Sequence, residues 1–205
     1  MSSVNEAQRG RFIVFEGGDG SGKSTQAKLL ADALGAELTR EPGGTPISEK
    51  IRSLVLDPAH AELDARTEAL LMAASRAQHV AELIKPTLTR GVSVVSDRFV
   101  ASSLAYQGVA RSLGIDAVAQ ANALALDGLK PDLTILLKVS AEAARGRLGD
   151  ELDRIEQASL DDVVVSTYER FAADDPDGWL VIEAEGSVNE IGARVRSGVR
   201  ERLGL

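Results

Sequence analysis

The sequence predicts an α/β fold in which a five-stranded parallel sheet is flanked by helices. Short apolar runs with the length of buried strands alternate along the chain with longer segments in which apolar residues recur at helical spacing. The first run, Phe12 to Phe15, stops at glycines, and the segment after it is helical. Such alternation is typical of a parallel sheet with helices on both faces, and ligands bind to these sheets at the carboxyl ends of the strands.

The individual elements follow from the same patterns. Apolar residues recur at helix spacing between Lys23 and Leu34, and Gly35 is placed to end that helix in a left-handed conformation. Further strands are predicted just before Thr39 and at residues 92–95, 133–139 and 180–182. Further helices are predicted from residue 48 and at residues 62–90, 115–127, 141–148 and 188–203. We expect residues 1–205 to form one domain, with a flexible start at residues 1–10 and a mobile loop at 149–157.

Composition narrows the functional class. The chain of 205 residues is 44% hydrophobic and has no cysteine, so it can form a sizeable core but offers no disulfide, thiolate metal site or thiol nucleophile. Neither His60 nor His79 belongs to a spacing pattern that indicates a metal site. The net charge of -8 disfavours binding to nucleic acid or an anionic membrane, and no apolar run predicts a membrane span or secretory signal. We therefore expect small-molecule chemistry in the cytoplasm, with no nucleic acid and no membrane as partners.

A phosphate-binding loop follows the first strand. Residues 17–24 read Gly-Gly-Asp-Gly-Ser-Gly-Lys-Ser, which fits G-x-x-x-x-G-K-[ST] between a strand and a helix. In such a loop, backbone N–H groups surround phosphate oxygens, Lys23 reaches the β- and γ-phosphates, and the Ser24 hydroxyl can hold Mg²⁺. The predicted ATP-binding residues are Gly17, Gly18, Asp19, Gly20, Ser21, Gly22, Lys23, Ser24 and Thr25.

The loop predicts a three-layer P-loop NTPase fold but does not by itself distinguish GTPases, ATPases and kinases. The chain contains no Asn-Lys-x-Asp segment for guanine recognition, which weakens the GTPase interpretation. A glycine-rich turn that merely joins a strand to a helix is the alternative to a nucleotide site. It would leave Lys23, Ser24 and Thr25 without a role.

A second group of charged residues is predicted at the same edge of the sheet. The segment 39–44, Thr-Arg-Glu-Pro-Gly-Gly, follows a strand-like run and must turn at its proline and glycines. Asp97 and Arg98 directly follow another strand, where side chains point at ligands. An Asp–Arg pair can also be a structural salt bridge, so these two residues alone leave both interpretations open.

Several segments of the chain, in order, resemble motifs of the thymidylate kinase family. They are FEGGDGSGKST at 15–25, TREPGGT at 39–45, SEKIR at 48–52, SDRF at 96–99, SSLAYQG at 102–108, PDLTILL at 131–137 and ELDRIE at 151–156. Gly20 fits the bacterial type, which has a glycine in the P-loop and arginines in the lid. The resemblance implies that ATP and Mg²⁺ are used to phosphorylate thymidine monophosphate (dTMP), in the supply of dTTP for DNA replication. It also implies a homodimer, for which the helix at residues 63–88 is a possible contact surface.

The resemblance implies roles in phosphoryl transfer for residues in and beyond the loop. Arg52 and Arg98 resemble the arginines that hold the acceptor phosphate, and Arg98 would also meet the transferred group. Asp97 would assist the magnesium shell beside Ser24, and Asp19 resembles a carboxylate that contacts the nucleotide sugar. Since ATP and dTMP bring several negative charges together and the acceptor oxygen is already anionic, catalysis is expected to consist of alignment and neutralisation without a strong general base.

The resemblance also implies a base-recognition site. Arg76 matches an arginine that bonds the thymine carbonyl, Gln107 a glutamine that reads the base edge, and Tyr106 a tyrosine that favours deoxyribose. A solvated helix face for Arg76 and core packing for Tyr106 are the alternatives. Met72 stands where the family usually has phenylalanine, and its thioether can still contact the base. The implied substrate-binding residues are Asp19, Glu41, Arg52, Met72, Arg76, Arg98, Ser102, Ser103, Tyr106 and Gln107.

The lid is expected at about residues 145–157. Arg145 and Arg147 match lid arginines, whereas Gly149 stands where a third is often found. Arg154 is a further candidate for the arginine that enters the active site, although it can equally form a structural ion pair. The sequence thus predicts Lys23, Asp97 and Arg98 as catalytic residues but leaves the lid arginine open. A kinase for another nucleoside monophosphate or for a nucleoside, and a nucleotide-binding regulatory protein without turnover, remain the alternative functions.

Overall fold

The computed structural model describes residues 9–145, 154–155 and 161–205. Within these ranges a five-stranded parallel sheet has the order β2-β3-β1-β4-β5. Its strands are β1 at Phe12–Glu16, β2 at Glu37–Arg40, β3 at Val94–Asp97, β4 at Leu133–Lys138 and β5 at Trp179–Glu183. The α/β class and the parallel sheet predicted from the sequence are confirmed.

Helices follow the strands. They are α1 at Lys23–Leu34, α2 at Pro46–Leu56, α3 at Ala65–His79, α4 at Lys85–Thr89, α5 at Val100–Ser103, α6 at Ile115–Leu126, α7 at Ala141–Arg145, α8 at Asp161–Asp174 and α9 at Val188–Leu203. A π-helical turn at Val80–Ile84 joins α3 to α4, so the helix predicted over 62–90 is found as a chain of three helical pieces. A second π-helical stretch, Leu104–Ala110, continues α5. Sequence patterns did not predict this stretch or α8.

Both faces of the sheet are apolar, as the three-layer prediction requires. All of β1 is buried, and alternate residues of a strand point to opposite faces. Ile13 and Phe15 pack in a cluster with α1 and α9. Phe12 and Val14 pack in another cluster with the α3–α4 region. None of the helices in the described ranges is long and apolar enough to span a bilayer.

Strand register brings the chemical groups together at one edge. Phe15 pairs with Asp97, and Arg40 at the end of β2 also pairs with Asp97. Glu16, the last residue of β1, pairs with Leu136 of β4. The carboxyl ends of the central strands therefore lie side by side, next to the loop that leads into α1. This edge contains the candidate site.

Candidate active site

A cavity of about 740 Å³ opens at this edge of the sheet. Its size is typical of small-molecule sites. Most of the predicted site residues line it: Asp19, Gly20, Ser21, Gly22, Lys23, Ser24, Thr25, Glu41, Arg52, Met72, Arg76, Asp97, Arg98, Ser102, Ser103, Tyr106 and Gln107. Gly17 and Gly18 belong to the same loop. Phosphate-loop and base-recognition residues thus share one cavity.

The loop after β1 presents the N-terminus of α1 to the cavity. Gly22 caps the helix with φ 88°, a left-handed conformation that favours glycine. A Cβ atom on Gly20 would lie 2.5 Å from the carbonyl oxygen of Ala144, so the tight approach of α7 requires glycine there. The first N–H groups of a helix lack intrahelical partners and attract anions. The loop is therefore built as a phosphate site.

Lys23 is buried within this loop. Its Nζ donates to the Gly18 carbonyl at 2.7 Å and lies 3.9 Å from an Asp19 carboxylate oxygen. Burial and, to a smaller extent, the nearby Arg98 charge lower the pKa of Lys23 to about 8, although the surrounding carboxylates partly oppose both effects. A bound phosphate would favour the charged form. A phosphate bound in the loop would therefore stabilise the charged form of Lys23.

Ser24 and Asp97 form a small oxygen-rich group beside Lys23. The Ser24 hydroxyl donates to Oδ2 of Asp97 at 2.5 Å, while the buried Oδ1 has no hydrogen-bond partner within the described residues. A free carboxylate oxygen next to a hydroxyl fits Mg²⁺, which usually takes one or two protein oxygens and completes its shell with phosphates and water. In the described parts of the chain, no cluster of three or more His, Asp or Glu side chains is arranged to hold a metal. The pair therefore suits a metal that arrives with a nucleotide.

Arg98 stands at the end of β3 in a left-handed conformation, with φ 71°. Its guanidinium is hydrogen-bonded to Asp19 and donates to the Ser102 and Tyr168 hydroxyls at 3.3 Å. It also lies over the Tyr106 ring, 5.3 Å from the centroid. A non-glycine residue in this conformation costs about 1–3 kcal/mol and is typical of functional sites. Arg98 pairs with Asp19 in the loop. The structure therefore does not contain the Asp97–Arg98 salt bridge that the sequence left open.

Glu16 holds the turn that carries Arg98. This fully buried carboxylate accepts from the backbone N–H groups of Phe99 at 3.0 Å and Ser102 at 3.2 Å, and from the Ser102 hydroxyl at 2.7 Å. Burial raises the pKa of Glu16, and the nearby Arg98 charge partly offsets that rise. The sequence analysis did not identify Glu16. Its one signal is an acidic residue that closes an otherwise apolar strand.

The far end of the cavity contains a buried polar network around Arg76. Its Nε donates to Glu41 at 2.7 Å, and its Nη1 donates to Ser103 at 3.1 Å and to Asn122. The second oxygen of Glu41 lies 2.9 Å from Nδ1 of His79. Arg76 is only 2% exposed, so the solvated helix face considered as an alternative is wrong. Arg76 is fixed in place and lines the cavity.

A second buried network holds Gln107. Its Nε2 donates to Oε1 of Glu68 at 2.7 Å, and Oε2 of Glu68 pairs with Arg154 and, at 3.3 Å, with Arg111. Arg154 is buried and also donates to the carbonyl oxygen of Val55 at 2.7 Å. Of the two roles considered for Arg154, the structure therefore contains the ion pair. Its partner among the described residues is Glu68 on α3.

The remaining predicted residues divide into two groups. Tyr106 is buried beside Met72 and lines the cavity, and its hydroxyl lies 3.5 Å from Asp19, so core packing and ligand contact are compatible. Arg52 donates to the carbonyl oxygen of Pro42 at 2.8 Å and lines the cavity. The side chain of Arg145, at the end of α7, lies outside the described residues. So do Arg147, all but residues 154–155 of the 149–157 loop, and most of the expected flexible start.

Comparison with known proteins agrees with this arrangement. A family profile described as thymidylate kinase matches residues 15–195. A thymidylate kinase of Lactobacillus delbrueckii is 48% identical over 196 residues, which cover 89% of this chain and 92% of the relative. One of Symbiobacterium thermophilum is 46% identical, with 94% of each chain covered. The crystal structure of an Ehrlichia chaffeensis thymidylate kinase superposes with a TM-score of 0.78 at 31% identity, covering 93% of this chain and 99% of that one. The chain therefore belongs to the thymidylate kinase family.

Proposed function

We propose that this protein transfers the γ-phosphoryl group of MgATP to dTMP, with ADP and thymidine diphosphate as products. The observation that carries the proposal is a single cavity that has a phosphate loop at one end and the buried Arg76 and Gln107 at the other. Its volume and polar lining suit two nucleotides that meet at their phosphates. We place the reaction in the cytoplasm, with ATP and dTMP as the binding partners.

At the phosphate end, Lys23 and the loop N–H groups bind the donor phosphates. Ser24 and Asp97 would hold Mg²⁺, which when bound neutralises and orients those phosphates. Arg98 and Arg52 take the acceptor phosphate, whose anionic oxygen forms the new bond to the γ-phosphorus as the bond to the β–γ bridging oxygen breaks. Since cations surround the transferred group, the protein needs to align and neutralise charge and requires no base.

At the base end, the donor groups of Arg76 suit a carbonyl oxygen. Tyr106 closes the space next to Asp19 and favours a sugar without a 2′ hydroxyl. Met72 presents its thioether where a base would stack. These features favour dTMP over the larger purine nucleotides as acceptor.

Arg145 and Arg147 are the lid arginines we propose for catalysis. We do not include Arg154, because leaving Glu68 would remove the nearer of the two guanidinium groups that pair with this buried carboxylate. Replacing Arg145 and Arg147 one at a time by Met should lower kcat by about 10-fold to 1,000-fold for the arginine that meets the phosphates. An unchanged kcat in both variants, with a large loss in Arg154→Lys, would assign the role to Arg154 instead.

We further propose a homodimer formed through α3 and α6. Leu70 on α3 is 61% exposed and Leu124 on α6 is 90% exposed, and the two helices pack together. A second copy of the chain would bury these side chains. Analytical ultracentrifugation should show a dimer for the wild type and a monomer for Leu124→Asp. Val181→Asp, at an exposed position of β5, is the control and should remain a dimer. A wild-type monomer at micromolar concentration would refute the dimer.

The proposed activity is tested with purified protein, MgATP and single acceptors. ADP release is measured with dTMP and with deoxyuridine, deoxycytidine, uridine and guanosine monophosphates, and Lys23→Met serves as the control for contaminating kinases. We expect dTMP to give the highest kcat/KM. Turnover only with another acceptor would favour a different nucleoside monophosphate kinase, and tight binding of both nucleotides without turnover would favour a regulatory binder.

A further inference from the structure

Glu68 is a buried carboxylate at the base end of the cavity that the proposed mechanism does not use. It is 1% exposed and is shared by Gln107, Arg111 and Arg154. We propose that Glu68 sets the base selectivity of the acceptor site by fixing which end of the Gln107 amide faces the ligand. This inference rests on the proposed function, because it takes dTMP as the acceptor.

The charges around Glu68 decide its hydrogen-bonding role. Its Oε2 pairs with two guanidinium groups, those of Arg154 and Arg111, as a carboxylate does. An ionised carboxylate can accept hydrogen bonds but cannot donate them. The end of the Gln107 amide that lies 2.7 Å from Oε1 must therefore be the NH₂ group. The donor and acceptor chemistry of the pair thus fixes the orientation of the Gln107 amide.

The other end of the Gln107 amide determines what the site offers to a ligand. Gln107 lines the cavity, and its Oε1 makes no hydrogen bond within the described part of the chain, so an acceptor is what the site offers at this point. Arg76, which also lines the cavity, can only donate. The base end thus presents a donor from Arg76 and an acceptor from Gln107. Arg76 has no acceptor, and Gln107 cannot exchange the two ends of its amide while Glu68 accepts from its NH₂ group.

This donor and acceptor pair matches one class of pyrimidine. Thymine and uracil carry a carbonyl oxygen next to a ring N–H, so that Arg76 donates to the oxygen and Gln107 accepts from the N–H. Cytosine carries an amino group next to an unprotonated ring nitrogen, which reverses both positions. A bound cytosine would leave buried polar groups of the site unpaired, and sites of this kind reject such analogues strongly.

The test compares Glu68→Gln with the wild type. The neutral amide of the variant has nearly the same shape but can donate as well as accept. The Gln107 amide is then free to flip by 180°. We expect the ratio of kcat/KM for dTMP to that for deoxycytidine monophosphate to fall by about 10-fold to 100-fold. Arg154→Lys is the matched control, since it disturbs the same buried pair but leaves the carboxylate ionised. It should lower the melting temperature and keep the ratio within about threefold of the wild type.

A double variant, Glu68→Gln with Arg154→Met, covers the case in which the unpaired arginine prevents Glu68→Gln from folding. It removes both charges and should show the same relaxed ratio. If wild type is active on dTMP and the folded variants keep its ratio, Glu68 is only structural and the inference is wrong. If wild type does not turn over dTMP, the proposed function itself fails, and the two failures are thus distinguishable.

Discussion

The two ends of the cavity are built in different ways. At the phosphate end, the loop at residues 17–24 supplies backbone N–H groups, a lysine and a hydroxyl from one continuous stretch of chain. At the base end, Arg76 and Gln107 come from separate helical segments, and each depends on a buried carboxylate, Glu41 or Glu68. The phosphate end is a local structure, whereas the base end is a product of tertiary packing.

At the phosphate end, the lysine that would bind the ligand does not stabilise the fold. At the base end, the arginines of the site also stabilise the fold. Burial of Lys23 disfavours its charged form, so the lysine does not stabilise the folded chain and serves to bind a ligand. Arg76 and Arg154 instead neutralise carboxylates that would otherwise be buried unpaired or nearly so. Substitution of Lys23 should therefore lower activity without lowering stability, whereas substitution of Arg76 should lower activity and stability together.

The largest effect is expected for Lys23→Met. Loss of the phosphate-binding cation should lower kcat/KM by about 10³-fold. The free energy of unfolding should stay the same or rise, because a buried charge has been replaced by an apolar chain of similar length. Steady-state kinetics and urea denaturation measure the two quantities. Lys28→Met, on the exposed side of the same helix, is the control, and a marked loss of stability in Lys23→Met would contradict the proposed separation.

Arg76→Met should couple the two effects. It leaves Glu41 with only His79 as a side-chain partner, which is expected to lower the free energy of unfolding by about 3 kcal/mol. Loss of the donor should also lower kcat/KM for dTMP by about 100-fold, mainly through KM. Arg66→Met, on the exposed face of α3, should change neither quantity. A variant with wild-type stability and impaired dTMP binding would show that the base end is as separable as the phosphate end.

The same contrast explains what could be predicted from the sequence. The strands, the loop and the start of α1 depend on neighbouring residues, and they lie where the pattern placed them. Glu16 bonds a residue 83 positions away, Glu68 one 39 positions away, and Asn122 one 46 positions away, so no local spacing indicates these partners. Arg154 illustrates the limit, because its position in a motif suggested catalysis while its partner Glu68 is 86 residues distant. The roles assigned to individual site residues stay predictions.

The buried lysine predicts a pH dependence that belongs to the phosphate end alone. Lys23 has a pKa of about 8 in the folded protein, against 10.5 for an ordinary lysine. The unfolded chain therefore binds more protons above pH 8, and the free energy of unfolding rises with pH there. Between about pH 7.5 and about pH 9.5 this contribution amounts to about 2 kcal/mol.

The contribution is measured as a difference between two proteins. Urea denaturation of the wild type and of Lys23→Met at both pH values cancels the other titrations, and the stability advantage of the variant should shrink as pH rises. A constant difference between the two proteins would mean that Lys23 keeps an ordinary pKa in the folded chain. In that case the charge of Lys23 is already compensated by the protein without a nucleotide. The phosphate end would then resemble the base end, where buried charges are paired.

The smallest expected effect concerns Met72, an apolar side chain at the base end of the cavity. Met72→Phe adds an aromatic ring facing the cavity, next to Tyr106 and Ile155 in the same apolar cluster. Stacking on thymine should raise kcat/KM for dTMP by about threefold, while the larger ring costs about 1 kcal/mol of stability in this packed cluster. Leu54→Phe, at an exposed position of the neighbouring helix α2, should change neither. A fall in kcat/KM would show that the ring fills space the base needs, and that this end is tuned by packing as closely as by its hydrogen bonds.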